Sequence, residues 1–163
     1  MTNPDATPPS NSPRRFGYAW IALTLALALH VTDEALTDFL SVYNPAVRAI
    51  RQRIPFLPLP TFSFGLWLTG LCGAIFLLLA LSPLAFRGSR RLAWIAHPLS
   101  VLMFFNGLGH IGSSIAFGRF MPGVVSSPVL LLASASLLWE ARRHIRATAR
   151  SRPNAAPTIS RID

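Results

Sequence analysis

Residues 16–39 read FGYAWIALTLALALHVTDEALTDF. The first half is an unbroken apolar run, and its far end carries His30, Asp33, Glu34 and Asp38. The whole chain has six acidic residues and four histidines, so this one segment holds half of the acids and a histidine. On a helix, positions 30, 33, 34, 37 and 38 fall on one stripe. His30, Asp33, Glu34, Thr37 and Asp38 then project together, with Val31, Ala35 and Leu36 on the opposite side. A charged side chain at the centre of a membrane helix costs ~2.5–3.5 kcal/mol. Acids on such a stripe must be paired, protonated or close to an interface, and the stripe is expected to face the interior of a helix bundle.

The composition supports a bilayer setting for this run. Of 163 residues, 52% are hydrophobic and 13% charged, with a mean hydropathy of +0.45; a soluble domain usually carries about 25% charge. Four apolar stretches, about 16–39, 64–86, 92–117 and 123–140, approach the ~20 residues needed to cross a bilayer, the last being the shortest. The flanks, 1–15 and 141–163, read as disordered tails, the second of them basic. A cleaved leader is the competing reading of the first run, with Arg14-Arg15 before it and Ala26-Leu27-Ala28 within it. Its unbroken passage into His30 and the acids, and the three further spans, argue against cleavage.

All fifteen basic residues are arginines, giving a net charge of +9. They lie at the ends of the apolar stretches rather than on a basic and aromatic surface, which excludes nucleic acid as a partner. Eleven fall on one side of the spans and four (Arg48, Arg51, Arg53 and Arg119) on the other. The positive-inside rule therefore puts both termini in the cytoplasm of a multi-pass cell-membrane protein. In the outer loop, PAVRAIRQRI (45–54) sets Val47, Ile50 and Ile54 on one helical face, as in a short amphipathic helix on the membrane surface. The following PFLPLP cannot continue that helix. Trp20, Trp67, Trp94, Tyr18 and Tyr43 read as an interfacial belt. The single cysteine, Cys72, excludes an intrachain disulfide or a thiolate metal cluster. The expected fold is thus all-α: an integral membrane four-helix bundle with a short interfacial amphipathic helix.

A second polar stripe lies in the third span, where Asn106 and His110 are one turn apart and Ser113 and Ser114 extend their face among Gly107, Gly109 and Gly112. Its depth matches the first stripe. His30 and Asn106 each lie fifteen residues past an arginine (Arg15, Arg91), and Glu34 and His110 each lie nineteen past the same arginines. At ~1.5 Å rise per residue the pairs sit level, in the outer half of the bilayer, and converge if the two helices are neighbours.

HVTDE (30–34), NGLGH (106–110) and RFMPG (119–123) together resemble the HXXEE family of small multi-span membrane proteins. The resemblance covers about 16–140 and implies a four-span helical bundle with a polar intramembrane site, but no established reaction. One departure is visible: Asp33 stands where the family name has Glu, a carboxylate of equal charge and shorter reach.

The chemistry of the residues leaves several functions open. Two imidazoles and a carboxylate suit a divalent Zn, Fe or Mn ion, with His30, Glu34 and His110 as ligands and an open position for water or a lipid oxygen. Asp33 is then a ligand or general base, and Asn106 orients His110 or a substrate. Without a metal, Glu34 as acid and His30 or His110 as base would move a proton on a hydrophobic substrate, as a lipid isomerase or cyclase does. A proton-coupled transporter uses similar clusters. A non-catalytic clamp between two helices needs the same residues and no chemistry. The expected partners are membrane lipids and a hydrophobic small molecule, and a homo-oligomer fits a transport role. Asp38 reads as the rim of the site, His97 as interfacial and His144 as solvated among Arg142, Arg143 and Arg146. Ser126, Ser127 and Pro128 either break the fourth span at the depth of the site or simply start its helix.

Overall fold

A computed structural model describes residues 12–150 of the chain. The parts of the expected tails at 1–11 and 151–163 lie outside the described residues. Six helices follow in order: α1 (Ser12–Leu36), α2 (Phe39–Arg53), α3 (Phe64–Ala80), α4 (Ser82–Phe86), α5 (Arg90–Phe117) and α6 (Ser127–Arg150). There is no strand among the described residues, in keeping with the all-α expectation.

Three stretches are long and apolar enough to cross a membrane: Ser12–Leu36, Phe64–Phe86 and Arg90–Phe117. Only 6% of the apolar window in the second is buried. So large an uncovered apolar surface is stable in hydrocarbon and costly in water. α6 is not in this set, because its apolar part ends at Trp139 and the rest carries Arg142, Arg143, Arg146 and Arg150. Within Phe64–Phe86 the helix breaks at Leu81, where Pro83 in the first turn of α4 has no N–H to continue the ladder. Just before the break, Trp20 Nε1–H donates to the Leu78 carbonyl at 2.8 Å and ties α1 to α3.

α6 packs against both α5 and α1, and α3 and α4 pack on α1. The core is built from Phe16, Trp20, Leu23 and Leu27 of α1, Leu92, Ala93 and Ala96 of α5, and Leu130, Leu137 and Ala141 of α6. Gly107 lets α5 and α6 approach closely. A Cβ there would lie 3.2 Å from both the Ser127 carbonyl oxygen and Leu131 Cγ. Three buried hydroxyls are satisfied within their own helices: Thr24 donates to Trp20, Ser100 to Ala96 and Ser134 to Leu130, each to the carbonyl one turn earlier. Among the described residues no buried side-chain nitrogen or oxygen lacks a partner.

Several sequence expectations are corrected. The two level pairs converge without close packing of α1 on α5: α6 packs against both helices, and α1 meets α5 through His30, Glu34, Asn106 and His110. α1 stops at Leu36, because Asp38 takes a left-handed conformation (φ 55°) and turns the chain into α2. Thr37 and Asp38 are exposed and leave the polar stripe. The amphipathic helix begins at Phe39, six residues before the expected start, and accommodates Pro45 within it. Asn44 holds it down by bonding both the N–H and the carbonyl of Phe62. Trp20 and Trp67 are buried core residues, while Tyr18 and Trp94 are exposed as an interfacial belt requires.

The chain is helical from Ser12 and continues so to Arg150, past the points where the tails were expected to begin and end. The reason at the C-terminal side is His144, which is buried rather than solvated. Its Nε2–H donates to the Gly88 carbonyl (2.8 Å), its Nδ1 accepts from Ser12 Oγ–H (3.2 Å), and its ring stacks on Phe16. It thus joins α1, the α4–α5 turn and α6. His144→Ala leaves the Gly88 carbonyl unpaired and should cost on the order of 1–3 kcal/mol. Thermal unfolding of detergent-solubilised protein should show this loss, whereas exposed Arg142→Ala should stay within about 0.5 kcal/mol of wild type.

Candidate functional site

The polar stripe of α1 faces inward at its C-terminal end. His30 is 1% exposed and Glu34 4%. Opposite them α5 supplies Asn106 and His110, one turn apart, and the link between α5 and α6 supplies Pro122, Gly123 and Ser126.

The hydrogen bonds fix which nitrogen of each histidine carries a proton. His110 Nδ1 lies 2.5 Å from the Pro122 carbonyl oxygen, which can only accept, so Nδ1 is the protonated nitrogen. His30 Nδ1 lies 2.8 Å from Ser126 Oγ. That hydroxyl has one proton and two acceptors beside it, Asp33 Oδ2 at 2.8 Å and the Gly123 carbonyl at 3.2 Å. It donates to the nearer carboxylate and accepts from His30 Nδ1–H. Asp33 Oδ2 also accepts from the Ser126 N–H at 2.9 Å. Asp33 therefore holds Ser126, and Ser126 holds His30.

With both Nδ1 atoms committed, both Nε2 lone pairs face Glu34. Oε1 of Glu34 lies 3.1 Å from His110 Nε2 and 3.6 Å from His30 Nε2. The two rings meet edge to face with centroids 4.8 Å apart. Ligand atoms of His30, Glu34 and His110 all lie within 4.8 Å of one another, so this group could hold a metal ion. Ligands of a tetrahedral ion with bonds of ~2.0–2.2 Å lie ~3.3–3.6 Å apart, so the group draws together by about 1 Å to hold one. Three acceptors directed at one point could hold a cation or share a proton.

Of the remaining sequence candidates, Asn106 lies beside the group with its Oδ1 3.2 Å from His30 Nε2, a further acceptor on that nitrogen, which leaves its NH₂ for another partner. Asp33 stands one residue behind it, bonded to Ser126. Ser113 and Ser114 do not extend the site: Ser113 donates to the Gly109 carbonyl, and Ser114 accepts from the Met121 N–H. His97 lies apart, bonded to the Ala93 carbonyl of its own helix. Phe39, the first residue of α2, lays its ring 5.7 Å from that of His110.

Sequence reasoning missed Pro122 and Gly123 as parts of the site. Gly123 has φ +79°, and a Cβ on it would lie 2.9 Å from His110 Nδ1 and 3.0 Å from His30 Cε1. Only glycine fits both the conformation and the space between the two imidazoles. The available signal was the Pro-Gly pair closing RFMPG, a turn placed at the depth of the histidines.

The chain matches the family model described as "protein of unknown function with HXXEE motif" over residues 20–138. No curated protein and no solved structure matches it.

Gly123→Ala forces a β-carbon between the rings at a left-handed position. It should destabilise the protein by on the order of 1–3 kcal/mol in thermal unfolding. Gly112→Ala, whose new Cβ meets open space on a helix, should be neutral or slightly stabilising.

Proposed function

The chain belongs to the HXXEE family, and on that premise we propose that it is an integral membrane metalloprotein acting on a hydrophobic substrate. His30, Glu34 and His110 hold a divalent ion, Zn, Fe or Mn, through two imidazole nitrogens and a carboxylate oxygen. The observation that carries this reading is the anchoring of both Nδ1 atoms, by the Pro122 carbonyl and by Ser126 backed by Asp33. Metal-ligating histidines are held in this way, through the ring nitrogen that does not touch the ion. Asp33 is accordingly a positioning residue, and Asn106 is the group placed to hydrogen-bond a substrate beside the ion. A three-ligand ion keeps a position open for water or a substrate oxygen, where it polarises that oxygen.

In this reading the apolar half of α6, packed between α1 and α5, completes a four-helix bundle in the bilayer. Both termini lie in the cytoplasm, since the arginines crowd that end of the helices. The site then lies in the outer half of the membrane, and its substrate is a lipid or another hydrophobic molecule.

The 3.1 Å contact between Glu34 Oε1 and His110 Nε2 also favours a second reading. A proton in place of the ion satisfies the same pair, and Glu34–His110 becomes an acid–base couple for a lipid or a proton relay.

Metal analysis separates the two. Purified in detergent after growth in supplemented medium, the wild type should carry about one equivalent of metal, and His30→Ala and His110→Ala none. Asp33→Asn and Ser126→Ala, which loosen His30 without removing a ligand, should weaken metal affinity by about 10–100-fold. A metal-free wild type would exclude the ion and leave the proton-sharing reading.

A further inference from the structure

We infer that the groove along the outer face of α5 is a binding site for a single-chain membrane amphiphile with an oxygen-bearing headgroup, which reaches the His/Glu cluster sideways from the lipid. The inference rests on the membrane reading above. The groove has a volume of about 430 Å³ and is lined by Leu102, Phe105, Asn106, Gly109, His110 and Ser113. That volume falls within the ~300–1,000 Å³ of small-molecule sites. It runs from Leu102 to Ser113, about 16 Å at ~1.5 Å per residue.

Two of its six lining residues, Asn106 and His110, are also members of the buried cluster. His110 is the exposed edge of that cluster, its side chain 12% exposed against 1% and 5% for those of His30 and Glu34. The larger groove between α1 and α3, of about 520 Å³, has no cluster residue in its lining. Of these two grooves, the one on α5 leads to the candidate metal ligands.

The chemistry of the lining selects the occupant. Leu102 and Phe105 form an apolar end, Asn106 and His110 a polar middle, and Gly109 leaves the floor open. α5 is long and apolar enough to cross a membrane, so hydrocarbon surrounds this face and the ligand arrives from the lipid phase. An oxygen suits this middle, because the Asn106 NH₂ donates to it. A cationic headgroup offers that NH₂ no acceptor. The chain of the amphiphile lies over Leu102 and Phe105, toward the bilayer centre.

The test uses the full-length protein in lipid nanodiscs with a long-chain fatty alcohol carrying a photoactivatable diazirine. Crosslinks are mapped by peptide mass spectrometry, and metal is measured on the same samples. Gly109→Leu fills the groove, and Gly112→Leu is its control; a Cβ at either position meets open space, so both variants should fold. Wild type and Gly112→Leu should be labelled at residues 102–113. Gly109→Leu should lose about tenfold of that labelling, equivalent to about 1.4 kcal/mol, with its metal content unchanged. Undiminished labelling in Gly109→Leu, or labelling spread evenly over α3 and α5, would overturn the inference. Groove-specific labelling of a metal-free wild type would sustain it and defeat the metal reading.

Discussion

Two imidazole nitrogens and a carboxylate oxygen face one another at the end of an apolar helix, and much of the surrounding structure exists to keep them there. Acceptors in a desolvated site repel unless a proton or a cation lies between them. Each histidine is turned inward by a bond on its far nitrogen, from the Pro122 carbonyl or the Ser126 hydroxyl. Both bonds come from the short link between α5 and α6. That link reaches the rings because Gly123 adopts a left-handed conformation and presents no side chain to them. The position of α6 between α1 and α5 follows from the same geometry, since its first turn begins directly after the serine that holds His30.

The other polar groups of the fold are arranged differently. Thr24, Ser100 and Ser134, on α1, α5 and α6, each bond the carbonyl one turn back and ask nothing of neighbouring helices. His144 closes the opposite end of the bundle with bonds to Ser12 and Gly88, both within hydrogen-bonding reach and neither acidic. The contrast separates two uses of buried histidine. At His144 each ring nitrogen has a partner suited to it, so nothing further is needed. At His30 and His110 one nitrogen on each ring points at the Glu34 carboxylate, and the three together could hold a metal ion.

Much of this site was legible in the sequence. The one-turn spacing of His30 and Glu34, and of Asn106 and His110, placed each pair on one helical face, and the equal distances from Arg15 and Arg91 set them level. Helical periodicity is local and survives without tertiary information. The contributions of Pro122, Gly123 and Ser126 were not legible as such, because a turn's carbonyl direction depends on the packing of the helices it joins. The role of Asp33 turned on the same missing element: its shorter carboxylate suits the Ser126 N–H and O–H, partners ninety-three residues away. The end of α1 was misjudged because the stripe continues regularly through Asp38, and no periodicity announces a left-handed residue there. His144 was misjudged because its arginine neighbours point to solvent, whereas its own face of α6 points to Phe16.

X-ray absorption spectroscopy of the zinc-loaded protein tests the central claim most directly. The spectrum should show two imidazole ligands at about 2.0–2.1 Å and oxygen ligands at about 2.0–2.2 Å. The imidazole scattering should be lost in the His30→Ala, His110→Ala double variant. Zinc surrounded by oxygen alone, or zinc that separates from the protein on gel filtration, would contradict it.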